Sequence, residues 1–416
     1  MKKRKWAVAM DNERQRTDNC LESKTLRLKE TAFTRQRDLG PKRIIHLILN
    51  RLVQALQLQI DQYYAQIGQR PVSKQALSQA RANLNPVFIR GYADDTAEIA
   101  ARDEEMPTYQ QMRLIGIDGT TVAVENTEEL REAFGCAGER ETVATARAST
   151  AYDVLGNVIY DSQIGHYKTD ERVFARMHKK RLRELGLADS LLLFDRGYFG
   201  NGFIADLIED DFHFLMRMRR RWNQAADAVA SEGIIAFMHE GKSYSVRVLK
   251  ATLSTGEVET LITSLSEEQL PKDEAGELYF CRWRVETALD LLKSKLQLEN
   301  FSGKTETSVL QDFYATIYLA NLVAFAAQEA DEIIAQQDQS KQLKYSRKAN
   351  RNRTVAKVRE KFLCMVLEPD PRIREAMMDN IVASIACYPV SVVPNRSPPR
   401  RPPRRKRFHM NRKPPL

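Results

Sequence analysis

Ser190-Leu191-Leu192-Leu193-Phe194-Asp195-Arg196-Gly197-Tyr198 runs an unalternating apolar stretch straight into an acid and a turn. A strand with no polar face belongs at the centre of a sheet covered on both sides. The segment before it, Glu171 to Leu187 with a stop at Gly186, has the helical period of a crossover. Upstream of that helix, Thr145 to Val154 and Val158 to Ile164 alternate as a hairpin turning at Gly156-Asn157, and Met112 to Asp118 and Thr121 to Val124 read as two strands joined by Gly119. Downstream, Phe203 to Glu209 reads as a helix and Phe212 to Met218 as a strand.

Three antiparallel strands, a helix, a strand, a helix and a strand give the element order of the RNase H-like fold. The fold class expected is therefore α/β, an RNase H-like mixed sheet with a β-strand insertion before its last functional helix and helical regions at both ends. The insertion is read from Tyr244 to Leu253 and Val258 to Leu265, which alternate around a turn at Ser254-Thr255-Gly256. The expected division is 1–107, an N-terminal helical DNA-binding region; 108–222, the first part of the core; 223–275, the β-rich insertion; 276–335, the closing helices; 336–388, a helical basic region; and 389–416, a disordered Pro/Arg tail. In the first of these, Pro41 to about Ala101 has a helical pattern and Ser73 is placed to cap a short helix to Asn83, in the manner of a small DNA-binding module or of a plain helical subdomain.

At 416 residues and 47.7 kDa the chain exceeds one ordinary core, and 43% apolar with 29% charged residues places it among globular chains. Five scattered cysteines without a C-x-x-C pair exclude a disulfide framework and a structural zinc site, and point to a reducing compartment. Tyr314 to Ala327 is too short an apolar run to cross a bilayer and reads as a buried helix; no secretory signal is legible. The expected location is the cytoplasm, in association with the nucleoid, with no membrane partner.

The formal charge of +9 is concentrated. From Pro389 to Leu416 there are nine Lys or Arg and no acid, so the rest of the chain is formally neutral. Within that rest, residues 1–50 and 341–361 are again basic, the second with Glu360 as its one acid. A charge run is often only a solvated face, but three in one chain suit a polyanion, and nucleic acid is the leading partner.

Asp118 closes Leu114-Ile115-Gly116-Ile117, and Asp195 closes the apolar strand. Both stand where strand ends build a metal site, although an aspartate before a turn is by itself more often a turn former. The third element is Tyr279-Phe280-Cys281-Arg282-Trp283-Arg284-Val285-Glu286-Thr287-Ala288-Leu289-Asp290-Leu291-Leu292-Lys293. On one regular helix, Tyr279, Arg282, Glu286 and Lys293 would share an arc of about 60° beside an apolar face of Leu278, Cys281, Val285, Ala288, Leu289, Leu292 and Leu296.

Tyr, two residues, Arg, three residues, Glu, six residues, Lys resembles the signature of the insertion-sequence-four group of bacterial DDE transposases. The resemblance runs from about Thr31 to Phe362 and takes in Ile117-Asp118-Gly119-Thr120-Thr121 and Phe194-Asp195-Arg196-Gly197-Tyr198. It implies that Asp118, Asp195 and Glu286 are the catalytic triad holding Mg²⁺, with Mn²⁺ as a substitute, and that Tyr279, Arg282 and Lys293 contact transposon-end DNA. It further implies cleavage of double-stranded DNA at terminal inverted repeats, strand transfer into target DNA, and a homodimer in the synaptic complex. Carboxylates suit this role because hard oxygen ligands hold Mg²⁺, and paired ions stabilise the attacking and leaving oxygens of an in-line displacement.

Arg217, Arg219 and Arg221, set on one face if the preceding strand continues through Arg220, are further DNA-contact candidates. His166 and His178 are given no role. No G-x-S-x-G elbow, P-loop or G-x-G-x-x-G is present. Two alternatives stand beside the transposase: a silent DNA-binding descendant, and an RNase H-like nuclease that cuts without strand transfer.

Overall fold

The structure, a computed structural model, describes residues 4–35, 37–50, 54–138, 142–219, 221–252 and 258–393. The Ser254-Thr255-Gly256 turn, Arg220 and most of the Pro/Arg tail lie outside them.

The chain opens with helices α1 (Lys5–Asp18), α2 (Pro41–Leu49), α3 (Leu56–Gln66), α4 (Lys74–Arg81) and α5 (Pro86–Ala101). Strand β1 (Leu114–Ala123), α6 (Glu128–Phe134), β2 (Cys136–Ala137), the hairpin β3 (Val143–Asp153) and β4 (Val158–His166), and α7 (Glu171–Glu184) follow. Next come β5 (Leu191–Phe194), α8 (Asn201–Glu209), β6 (His213–Arg217), α9 (Gln224–Ala228), β7 (Glu232–His239), β8 (Lys242–Thr252) and β9 (Val258–Thr263). The chain then forms α10 (Lys272–Phe280), α11 (Trp283–Asp290), a π-helical turn at Leu291–Lys295, α12 (Glu306–Asp338), β10 (Arg347–Lys348), α13 (Arg351–Leu367), α14 (Pro371–Ala386) and β11 (Val390–Ser391).

The elements divide into two units, one of residues 1–99, 122–146 and 292–416, the other of 100–121 and 147–291. The first is helical and centres on α12, opened by a capping box between Thr305 and Ser308 and packed against α1, α2, α13 and α14. At 33 residues α12 is long and apolar enough to cross a membrane, but 89% of its most apolar window is buried inside the protein, which marks it as a core helix. Ser73 caps α4 by accepting from the Ala76 N–H. Arg81, at the end of α4, is buried, donating to Gln311 at 2.8 Å and Asp312 at 2.9 Å.

The second unit is built on a sheet ordered β4-β3-β1-β5-β6-β9-β8-β7. β1, β5 and β6 are parallel, in the register Gly116↔Leu193↔Leu215. This is the RNase H-like arrangement. Every residue of β5 is buried, as an unalternating apolar strand between two neighbours requires. At the β6 edge the insertion is joined to the core by antiparallel pairing with β9, Leu215↔Thr263.

Two differences from the sequence reading have physical causes. The expected break at Gly119 does not occur, because Gly119 stays out of the left-handed region and the β-branched Thr120-Thr121 carries β1 on to Ala123. β7 went unread because Gly233 and Ala236 dilute its strand signal, yet it alternates, with Ile235 and Phe237 buried and Ile234 and Met238 exposed. Its two-residue turn to β8, Glu240-Gly241, has positive φ at both positions (48° and 78°), the geometry that matches strand twist.

Candidate active site

β1 and β5 deliver the two aspartates side by side. Continuing the parallel register from Gly116↔Leu193 brings Asp118 next to Asp195, which directly follows β5. Each carboxylate is oriented locally: Asp118 Oδ1 accepts from the Gly119 N–H at 2.8 Å and Asp195 Oδ1 from the Gly197 N–H at 2.7 Å. Burial, with Asp195 and Glu171 adding to it, pushes the Asp118 carboxyl up to about 6, against the opposing pull of the Gly119 N–H and Arg282.

Glu286 comes from α11, which lies directly on β1. A Cβ on Gly116 would stand 2.1 Å from Val285 Cγ2, so glycine is what admits the helix at this depth. Arg284 donates to the Val154 carbonyl at 2.9 Å and fixes the same helix a second time.

The regular helix expected from Tyr279 to Lys293 is not what forms. From Cys281 to Val285 the chain tightens to i→i−3 bonds (Arg282 to Tyr279 at 3.0 Å, Arg284 to Cys281 at 3.0 Å, Val285 to Arg282 at 2.9 Å), and α11 ends in the π-helical turn. Each residue of a tightened turn advances about 120° instead of 100°. The four-residue stripe is therefore not one arc, and Arg282 turns inward to 6% exposure.

There its guanidinium joins two of the acids. Nη1 lies 3.5 Å from Asp118 Oδ2 and Nη2 lies 3.3 Å from Glu286 Oε1. It stacks 4.8 Å from the Trp283 ring and 5.8 Å from that of Tyr279. Tyr279 is itself buried, which raises its hydroxyl to about 12 with Asp195 adding and Arg282 and Arg217 opposing.

Among the described residues no three His, Cys, Asp or Glu side chains stand close enough to share one ion. By donor chemistry the acids fit a hard divalent cation: only carboxylate oxygens are offered, and Asp118 holds its proton unusually well while flanked by two further acids.

The remaining candidates are placed differently. Lys293 falls in the other unit, in the π-helical turn, with Glu299 Oε1 at 3.7 Å. Arg217 ends β6 and pairs with Glu259 at 2.5 Å. Strand alternation does not extend to Arg219 and Arg221, since β6 stops at Arg217 and Arg221 has φ of 60°; both are exposed. Of the basic 341–361 segment, Arg347 is tied to Asp338, Arg353 to Ser384, and Arg359 to the carbonyls of Lys295 and Leu296. Those arginines serve the fold of their own unit.

Three groups escaped the sequence reading. Arg147 of β3 donates to Glu171 of α7 at 2.9 Å beside Gly119. Buried His178 joins Asp161 (2.6 Å) to Ser149 (3.0 Å), whose hydroxyl reaches the Asp118 carbonyl at 3.3 Å. Tyr198 is buried completely. Only the glycine after Asp118 was a signal for the first, and no spacing rule marks the others.

The family model described as "Transposase DDE domain" matches residues 109–322. The transposase InsG of insertion sequence element IS4 from Escherichia coli (strain K12) is 23% identical over 308 residues, 69% of this chain and 66% of its own length, so the match spans just under two thirds of that relative. Among solved structures, the piggyBac transposase in a synaptic complex with hairpin DNA superposes with a TM-score of 0.45 at 11% identity, covering 94% of this chain and 85% of its own. The family model takes in more than half of the sequence, including both aspartate segments and the Tyr279 to Lys293 helices, and the chain belongs to the transposase DDE domain family, in its IS4-like branch.

Proposed function

We propose that this transposase hydrolyses a phosphodiester at each end of its insertion sequence and then joins the freed 3′-hydroxyl to target DNA, with Asp118, Asp195 and Glu286 as the catalytic acids. One observation carries the reading: Arg282 is shared between Asp118 and Glu286, so the acid of α11 meets the acid of β1 across a single guanidinium. In hydrolysis a water oxygen bonds to phosphorus and the 3′-oxygen leaves as a hydroxyl; in transfer that hydroxyl attacks a target phosphodiester, displacing its 3′-oxygen. The three acids would hold Mg²⁺, or Mn²⁺ in its place, which when bound supplies positive charge to the attacking and leaving oxygens.

The chain's own groups do the rest. Arg282 is poised to exchange its carboxylates for a backbone phosphate, which its planar fork grips in bidentate fashion. Tyr279 keeps its proton at neutral pH and donates to the DNA. Lys293, Arg217, Arg219 and Arg221 add phosphate contacts, as do the helical regions at 1–107 and 336–388. Paired ends would be held by a homodimer.

Glu286→Gln tests the assignment on double-stranded end DNA with Mg²⁺. Cleavage is expected to fall by three orders of magnitude or more while DNA affinity stays within about threefold. Undiminished cleavage by this variant removes Glu286 from the mechanism. A wild-type chain that binds but never cuts is a silent binder, and one that cuts without insertion products is a nuclease.

A further inference from the structure

A line of three buried side chains ends on the peptide that follows Asp118. His178 of α7 sets Nδ1 2.6 Å from Asp161 Oδ2 of β4 and Nε2 3.0 Å from Ser149 Oγ of β3. Gln163 Nε2 holds the same Asp161 oxygen at 2.8 Å. Ser149 in turn donates to the Asp118 carbonyl at 3.3 Å. Ser149 and His178 are wholly buried and Asp161 nearly so, which keeps all three from touching DNA or a reacting atom.

Donor accounting gives the line a direction. A carbonyl can only accept, so the single Ser149 proton points at Asp118. The Ser149 oxygen then accepts from Nε2–H, and a second proton lies on the short line between His178 Nδ1 and Asp161 Oδ2. What the line grips is one rigid plane. The Asp118 carbonyl and the Gly119 N–H belong to the same peptide, which turns as a unit, and that N–H donates to Asp118 Oδ1 at 2.8 Å. Turning the plane would carry the donor away from the carboxylate.

A structural tie between α7 and the β3–β4 hairpin accounts for His178 and Asp161. It does not account for a line that leaves the hairpin and ends on the one peptide whose N–H orients the acid. Thr150 and Ser162, buried and 3.1 Å apart, tie the same two strands on their other face.

We infer that Ser149, held by His178 and Asp161, is a positioning residue that orients the Asp118 carboxylate through the Asp118–Gly119 peptide; that Asp118 is a catalytic acid rests on the function proposed above.

The test compares variants of the full chain in Mg²⁺-dependent cleavage of end DNA and, without DNA, in hydrogen exchange of the Gly119 amide. Ser149→Ala is expected to lower kcat about tenfold or more with KM within about twofold, and to speed Gly119 exchange about tenfold. Thr150→Val, which removes a buried hydroxyl from the same strand, should leave both readings within about twofold of wild type. His178→Asn keeps a donor for Asp161 but is too short to reach Ser149. It should match Ser149→Ala, and the double variant should fall no further than either. If Ser149→Ala does not fold by thermal melting, His178→Asn takes its place in each comparison. Wild-type kcat in the folded variant, or an equal loss in Thr150→Val, overturns the assignment. So does unchanged Gly119 exchange, which decides the matter alone if the wild-type chain never cuts end DNA and the function proposed above falls.

Discussion

Substituting Gly116 by alanine probes how the last catalytic helix is seated. The new Cβ would stand 2.1 Å from Val285 Cγ2 and 3.3 Å from Val154 Cγ1, whereas carbon atoms in contact rest about 3.5 to 4.0 Å apart. Val285 is wholly buried in α11 and, being β-branched, has essentially one helical rotamer, so it does not swing aside. The helix must instead lift by roughly 1.5 Å, the difference between those separations. Overpacking of this kind costs about 1 to 3 kcal/mol. The lift also moves Arg282 and Glu286 off β1, and a misplacement near 1 Å lowers a rate by roughly a hundredfold. Urea unfolding and end-cleavage kinetics read the two effects. Val285→Ala, which removes the colliding methyl, should restore both in the double variant, with a coupling of at least about 1 kcal/mol between the sites. Stabilities that add to within about 0.5 kcal/mol would refute the argument that these residues compete for one space.

Asp118→Asn should raise stability in a pH-dependent way when measured in EDTA. The folded-state value of about 6 exceeds the ordinary 3.8, so ionising Asp118 destabilises the fold, and stability is lost as pH rises from about 4 through 6. At pH 7.5 the variant should exceed wild type by an amount on the order of 3 kcal/mol, with the gap closing near pH 4; a gap of equal size at both would contradict the assignment. Arg81→Ala should destabilise the helical unit by about 3 to 5 kcal/mol, because it strands the carboxylate of Asp312, 1% exposed, without its partner. Chemical denaturation giving less than about 1 kcal/mol would contradict the stabilising role of this buried pair.

The strands around the two aspartates were legible because burial on both faces leaves an unmistakable pattern: Leu191 to Phe194 admits no other place in a sheet, and Gly156-Asn157 turns where it should, with Asn157 at φ of 59°. Helix period placed most of the apolar face: Val285, Ala288 and Leu289 of α11 and Leu292 of the π-helical turn are buried, while Cys281, where the helix tightens, is only half-buried. The fate of Arg282 was hidden, since the spacing of four polar residues assumes 100° per residue, and nothing in that spacing marks the tightening that begins at Cys281. The proximity of Glu171 to Gly119 was hidden for a related reason. It depends on a side chain crossing between elements more than fifty positions apart, and a lone glycine names no partner.

The antiparallel join of β9 to β6 has a consequence for anyone seeking a minimal catalytic fragment. The β-rich excursion looks like a detachable module, entered after one strand and left before α10. Yet its returning strand occupies the hydrogen-bonding flank of β6, where Thr263 also donates its hydroxyl to the Phe214 carbonyl at 2.6 Å. Excising the whole excursion would leave that flank raw, a sticky border inviting other chains. Trimming has to stop short of β9.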